Sequence, residues 1–242
     1  MDRLELPPRR VAAAAPIPRM ASLTFAAPPR AVALTSMILS LVVLSACGGT
    51  GVVGAGPTGR EVREVDAFSG VEVDNGIGLT LVVGDPQAVE VSAQENILPL
   101  VRTMVESGTL RIHSIESFTT TAGVIVSVTV PALDGISVSG GSEAQIEGMA
   151  SDNLDVVMSG GARLTAAGRS SNVTFAGSGG SRSDLAALDV KTMAVELSEG
   201  ATAALRVSDR LTGTASGGAV ATITGEAVLD VQTSGGASVT NH

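Results

Sequence analysis

The chain has 242 residues and a formal net charge of −9, with 29 Gly, four Phe, one Cys and neither Trp nor Tyr. An acidic chain without a basic cluster repels phosphate backbones, which excludes nucleic acid as a partner, and a single cysteine excludes an internal disulfide. The scarcity of large aromatics argues against a thick globular centre and for a thin, regular interior of Ala, Val, Ile, Leu, Ser and Gly.

Residues 31–46 are uncharged, follow Arg30 and run directly into Cys47. A charged flank, an apolar run and small residues at its end make an export signal, and the run is short for a span of about 20 residues. Leu44-Ser45-Ala46-Cys47 resembles the bacterial lipobox. That resemblance implies diacylglycerol on the Cys47 sulfur, cleavage before Cys47 and acylation of the new N-terminus. Residues 1–46 are therefore expected to be a leader and lipoprotein signal peptide. The mature protein would be exported and held in the cell envelope through its lipid. Gly48 occupies the place where Asp favours inner-membrane retention in proteobacteria, so a Gram-negative source points to the outer membrane. Residues 47–60 are Gly-rich and read as a flexible tether between lipid and domain.

Residues 61–242 read as one domain. Its first part, 61–132, carries short strand signals: Val71 to Val73, Leu79 to Val83, Val89 to Val91, Leu110 to His113 and Val124 to Val130. Asp74-Asn75-Gly76 is a tight-turn signal, and Gly84-Asp85-Pro86 and Ser107-Gly108 mark further turns. No steady period appears there, which predicts irregular first coils or a capping layer.

The second part, 133–242, repeats. Ser-Gly-Gly begins at Ser139, Ser159, Ser178, Ser216 and Ser234, and Ser198-Glu199-Gly200 is a degenerate copy, so the serines are spaced by 20, 19, 20, 18 and 18 residues. Aligned on them, Ile136, Val156, Phe175, Val195, Gly213 and Val231 fall in one column, three residues before Ser. Ala144, Leu164, Ser183, Ala203, Ala221 and Val239 fall in another, five after it. Alternation with period two marks strands with one buried face. The fold class predicted is all-β: a single-stranded, right-handed parallel β-helix, or β-solenoid, with coils of 18–20 residues. At ~3.3 Å per residue such a coil measures about 60–65 Å round, and coils would stack every ~4.8 Å. The first Gly of each pair is expected to take an inward position at a bend. Glu199 breaks that rule, so its rung should bend differently. The serine column could form a hydroxyl ladder on the outer face. The last coil should leave a parallel edge open to a second copy of the chain.

Here the sequence resembles the head GIN domain family of auto-transporter adhesins. The likeness is carried by Val71-Glu72-Val73-Asp74-Asn75-Gly76-Ile77, Gly108-Thr109-Leu110-Arg111-Ile112, Val128-Thr129-Val130-Pro131-Ala132-Leu133 and the Ser-Gly-Gly copies, over roughly 62–240. The family's eponymous Gly-Ile-Asn is not intact; Asn75-Gly76-Ile77 stands near its place. The resemblance implies a bacterial envelope protein with a β-helix-like fold, and an envelope polysaccharide or protein as partner.

Catalytic chemistry finds little support. In the column four before Ser, Asp155 and Asp230 stand four coils apart, about 19 Å at ~4.8 Å per coil, whereas a glycosidase pair needs ~5–9.5 Å. Glu143 and Arg163 are placed to form an exposed pair. His113 and His242 are the only histidines, too few for a metal cluster with the lipidated cysteine. The sequence therefore points to a non-catalytic envelope lipoprotein without cofactor. Cys47 is its one modified residue, and its solenoid surface serves adhesion, binding or envelope assembly. A carbohydrate-active enzyme on a β-helix, using Asp155 or Asp230, is the alternative.

Overall fold

The repeating unit of the fold is a two-residue corner. In Ser139-Gly140-Gly141-Ser142 both glycines have positive φ, +58° and +74°, and Ser142 N–H donates to the Ser139 carbonyl at 3.0 Å. Two consecutive positive φ values are the requirement of a type I′ turn, which Gly meets without steric cost. The corners also bond to one another. Gly141 N–H donates to the Gly160 carbonyl, Gly161 to Gly179, Gly180 to Glu199, Gly200 to Gly217 and Gly218 to Gly235, each at 3.0 Å.

Three expectations are corrected at this corner. The glycines are solvent-exposed, not inward; the inward row resumes at Ser142, Ala162, Ser181, Ala201 and Ala219, all buried. The first glycine is needed because a Cβ would face the preceding corner: on Gly179 it would stand 2.9 Å from the Gly160 nitrogen. Glu199 bends like its neighbours, with φ +51° and the same ladder bond, so its side chain simply points into solvent at the cost of a left-handed backbone. Among the described residues the ladder here runs through backbone amides and carbonyls, not through the serine hydroxyls.

The computed structural model describes residues 51–242, so the leader, the lipobox and Cys47 lie outside it. The strands are β1 (Val52–Val53), β2 (Thr58–Val62), β3 (Gly70–Val73), β4 (Gly78–Val83), β5 (Ala88–Gln94), β6 (Val101–Glu106), β7 (Thr109–Ser114), β8 (Phe118–Thr119) and β9 (Ile125–Val130). They continue as β10 (Gly135–Val138), β11 (Glu143–Met158), β12 (Arg163–Gly177), β13 (Arg182–Leu197), β14 (Thr202–Ala215), β15 (Val220–Thr224), β16 (Val228–Thr233) and β17 (Ser238–Asn241). A single 3-10 turn, Leu98–Leu100, interrupts them, and no described helix is long and apolar enough to cross a membrane.

From Ser139 onward the chain winds as an all-β solenoid. Each coil has a first side ending at the corner, a second side leaving it, and a third side beyond a bend. Ile136 lies beside Val156, Val156 beside Phe175, Phe175 beside Val195, and Val195 beside Gly213. On the second side Ala144, Leu164, Ser183, Ala203, Ala221 and Val239 are stacked in that order. These are the columns expected from the serine alignment. Both rows feed one continuous core, in which Phe175, Ile146, Leu154, Met158, Leu164 and Leu185 are fully buried. Burying a side chain of this size stabilises by about 1.5–3 kcal/mol, and only a stacked neighbour can provide the cover.

The earlier part is both coil and cap. Val73 sits beside Val138 and Gly78 beside Glu143, so Asp74-Asn75-Gly76-Ile77 is the equivalent of a Ser-Gly-Gly corner. Asn75 and Gly76 have φ +66° and +71°. The next layer is not the next in sequence. β7 pairs in parallel with β3 and β9 with β4, on the side away from β10 and β11. The first side therefore runs β7, β3, β10, β11, β12, β13, β14, β16, and the second β9, β4, β11, β12, β13, β14, β15, β17. Antiparallel strands close that end: β6 lies on β7, and β5 on β9 with β2 outside it. The tether expected over 47–60 is shorter than its glycine content suggests. Val52 and Val53 pair with Phe118 and Thr119, and Thr58–Val62 pairs with β5.

Candidate functional site

The third side of the coils holds an open groove of about 770 Å³. Its shape follows from the bend after the second side. At Gly168 (φ +133°) and Gly225 (φ +116°) a Cβ would overlap the carbonyl oxygen of Met149 and Val207 in the coil beneath. Glycine lets these coils close up at the bend. The register also shifts here, between Ile146 and Met149, between Thr165 and Ala167, and between Leu185 and Thr192. The difference between 18- and 20-residue coils is absorbed on this side.

Two outward rows flank a floor of backbone. In one, Ala150 lies beside Arg169 and Arg169 beside Asp189, and Arg206 Nε bonds Asp189 Oδ1 at 2.7 Å. In the other, Asp152 accepts a bond from the Ser171 hydroxyl at 3.4 Å, and Lys191 and Ser208 follow in the next coils. Glu226 stands at the far end. Between the rows the Ser151 and Ser170 hydroxyls meet at 3.1 Å, and Val190 and Val207 turn into the core. Asn172 Nδ2 donates to both the Asp152 carbonyl and Asn153 Oδ1, each at 3.2 Å, tying two coils together at the rim.

The positions singled out in the sequence do not converge. Asp155, Thr174, Ala194, Thr212 and Asp230 form one outward row, so the two aspartates are four layers apart, about 19 Å at ~4.8 Å per layer. Glu143 is the register partner of Arg163, yet no ion pair joins them. His113 is half-buried on β7 opposite Arg102, far in sequence from any of these, and His242 is exposed. Among the described residues no group of three or more His, Cys, Asp or Glu is placed to hold a metal ion. Elsewhere Arg111 bonds Glu72 and Glu106 at once, and those two carboxylates raise its pKa further. That cluster sits at an exposed strand surface and fastens β7 to β3 and β6.

Sequence reasoning missed the groove because its columns run only from five residues before each serine to seven after it. The charged rows lie just beyond, where coil lengths differ. The signal available was the density of charge between the bend and the next first side: Arg169, Asp189, Lys191, Arg206.

Residues 67–227 match the family described as "Putative auto-transporter adhesin, head GIN domain". The chain belongs to this family. The match runs from just before β3 to the bend before β16. No curated protein matches the chain. A solved structure described as a "putative adhesin" from Bacteroides fragilis superposes with a TM-score of 0.63 at 15% identity, over 79% of this chain and 100% of its own. A second, from Parabacteroides distasonis, gives 0.54 at 16% identity over 79% and 99%. A third, from Parabacteroides merdae, gives 0.53 at 14% identity over 79% and 98%. At these identities the likeness establishes the shared fold of this head GIN domain.

Proposed function

We propose that this head GIN domain protein is a non-catalytic display protein of the bacterial envelope. In this reading residues 1–46 direct export, Cys47 carries the lipid, and the solenoid over 61–242 is held outward as a binding surface for adhesion or envelope assembly. The observation that carries it is the form of the surface. Rows of outward side chains are fixed at one layer's spacing by continuous backbone ladders, and two of them flank an open groove. Such a surface needs no moving part to hold a repetitive partner, and its order is prepaid by folding. The carboxylates that would serve a glycosidase are held apart by the same ladders.

The test has two arms. Replacing Cys47 by Ser should abolish incorporation of labelled fatty acid and release the chain from the membrane fraction, while a wild-type-like distribution of the variant would refute the anchor. The purified full-length chain should bind isolated envelope material saturably and without sugar release. Turnover that disappears in Asp155→Asn or Asp230→Asn would replace the proposal with the enzymatic reading.

A further inference from the structure

We infer that the third-side groove is a binding site for a linear acidic polysaccharide in which uronate alternates with neutral sugar, its carboxylates taken by Arg169 and Lys191. This rests on the solenoid acting as a binding surface and goes beyond it in naming site and ligand class.

Charge comes first. The chain carries a net −9, yet the middle of the groove gathers Arg169, Lys191 and Arg206. Arg206 is held by Asp189, whereas Arg169 and Lys191 have no ion-pair partner among the described residues. Lys191 is also the sole lysine of the 242 residues. Two free cations in adjacent coils, offset by two residues along the strand, present two points of attachment about 8 Å apart at ~4.8 Å per layer and ~3.3 Å per residue. An arginine fork suits a carboxylate, and the lysine can follow it as a mobile point charge.

The ends set a limit on that charge. Asp152 closes one end of the groove and Glu226 the other, four layers away or about 19 Å. A ligand with a negative charge on every unit would meet both. One with its acidic groups at the centre and neutral hydroxyl-bearing units beyond them would not. The hydroxyls of Ser171 and Ser208 stand among the charges as partners for sugar hydroxyls.

The lining also selects against neutral glycans. Sugars without charge are commonly gripped by stacking on aromatic rings. None of the three described Phe lines the groove, and the chain has no Trp or Tyr. Recognition here has to come from charge and hydrogen bonds. The groove spans successive coils along the stacking axis, which suits a stretch of polymer several units long.

The experiment titrates the purified full-length chain with three probes: a hyaluronan oligosaccharide of alternating uronate and N-acetyl sugar, a polygalacturonate oligosaccharide, and dextran. Hyaluronan should bind best and dextran not at all, with affinity falling as salt is raised. The doubly substituted Arg169→Gln/Lys191→Gln protein should lose about tenfold or more in affinity, as expected for two charge-assisted bonds. Arg163→Gln/Arg182→Gln removes two equally exposed cations from the second side and should change affinity by less than about twofold. Acylation of Lys191, readable by mass because no other lysine competes, should slow when hyaluronan is present. Far-UV circular dichroism establishes that both variants keep the strand spectrum.

Equal losses from the two double variants, or no binding of either acidic probe, would overturn the assignment. So would preferential binding of poly(glycerol phosphate), which would give the cations to a phosphate polymer. If envelope binding survives Arg169→Gln/Lys191→Gln intact, the groove assignment falls and the display reading stands. If the wild-type chain binds no envelope material, the display reading itself has failed.

Discussion

Phe175 is the one aromatic among the stacked inward rows of the repeat, and its neighbour two residues on is Gly177. A Cβ on Gly177 would lie 3.3 Å from Phe175 Cζ and 3.0 Å from Leu197 Cδ2. The equivalent pairs in the two preceding layers are Ile136 with Val138 and Val156 with Met158. One layer thus holds a large and an absent side chain where the two preceding layers, and the following one with Val195 and Leu197, hold two of middling size. Phe175→Val should cost about 2–3 kcal/mol, for the ring volume lost from a fully packed site. Gly177→Val alone should cost about 1–3 kcal/mol by crowding that ring and Leu197. Together they rebuild the ordinary layer. The double variant should therefore be destabilised by only about 2 kcal/mol, less than the sum by roughly 2 kcal/mol, because contacting sites couple. Urea unfolding followed by far-UV circular dichroism measures this, since the chain has no Trp or Tyr to report by fluorescence. Costs that add to within about 0.5 kcal/mol would refute the exchange of volume within the layer.

Two further outcomes concern the backbone. Gly213 (φ +135°) has the Val195 carbonyl oxygen where a Cβ would go, while Gly218 (φ +76°) has nothing within 4 Å. Gly213→Ala should cost about 3–5 kcal/mol, through strain and lost ladder bonds, and Gly218→Ala about 1 kcal/mol; equal midpoints in the same urea assay would contradict this. Glu199→Gly should raise stability by up to about 1 kcal/mol, by relieving a left-handed φ against a gain in unfolded-state freedom. A lowered unfolding midpoint would mean that the glutamate side chain makes a contact that matters.

The repeat was readable because one corner chemistry recurs. Ser-Gly-Gly both forces the turn and sets the register, so counting from each serine placed Ile136, Val156, Phe175 and Val195 in adjacent layers. The same turn made by Asp74-Asn75-Gly76-Ile77 carries different residues, and its partner corner comes 65 residues later, between Asp74 and Ser139. Pattern alone could not show that β7 and β9 lie beneath β3 and β4, because spatial order there departs from chain order. Alternation carried straight through the corner assigns the first glycine of each pair inward, whereas two consecutive positive φ values turn both glycines out and the inward row resumes at the next residue. The groove was hidden for a related reason. Coils of unequal length lose alignment on the third side, and charged residues that are neighbours in space no longer share a column.

The inversion of layers near the N-terminal end bears on how the chain acquires its shape. β3 and β4 appear early in the chain, yet they are paired on both flanks by segments made later: β7 and β9 on one, β10 and β11 on the other. A polypeptide emerging with its N-terminus ahead would carry this coil with two bare edges until β7 and β9 had followed, and with one bare edge until residue 147. Bare parallel edges recruit stray strands. The least regular stretch of the protein thus supplies the closed end against which its regular coils stack.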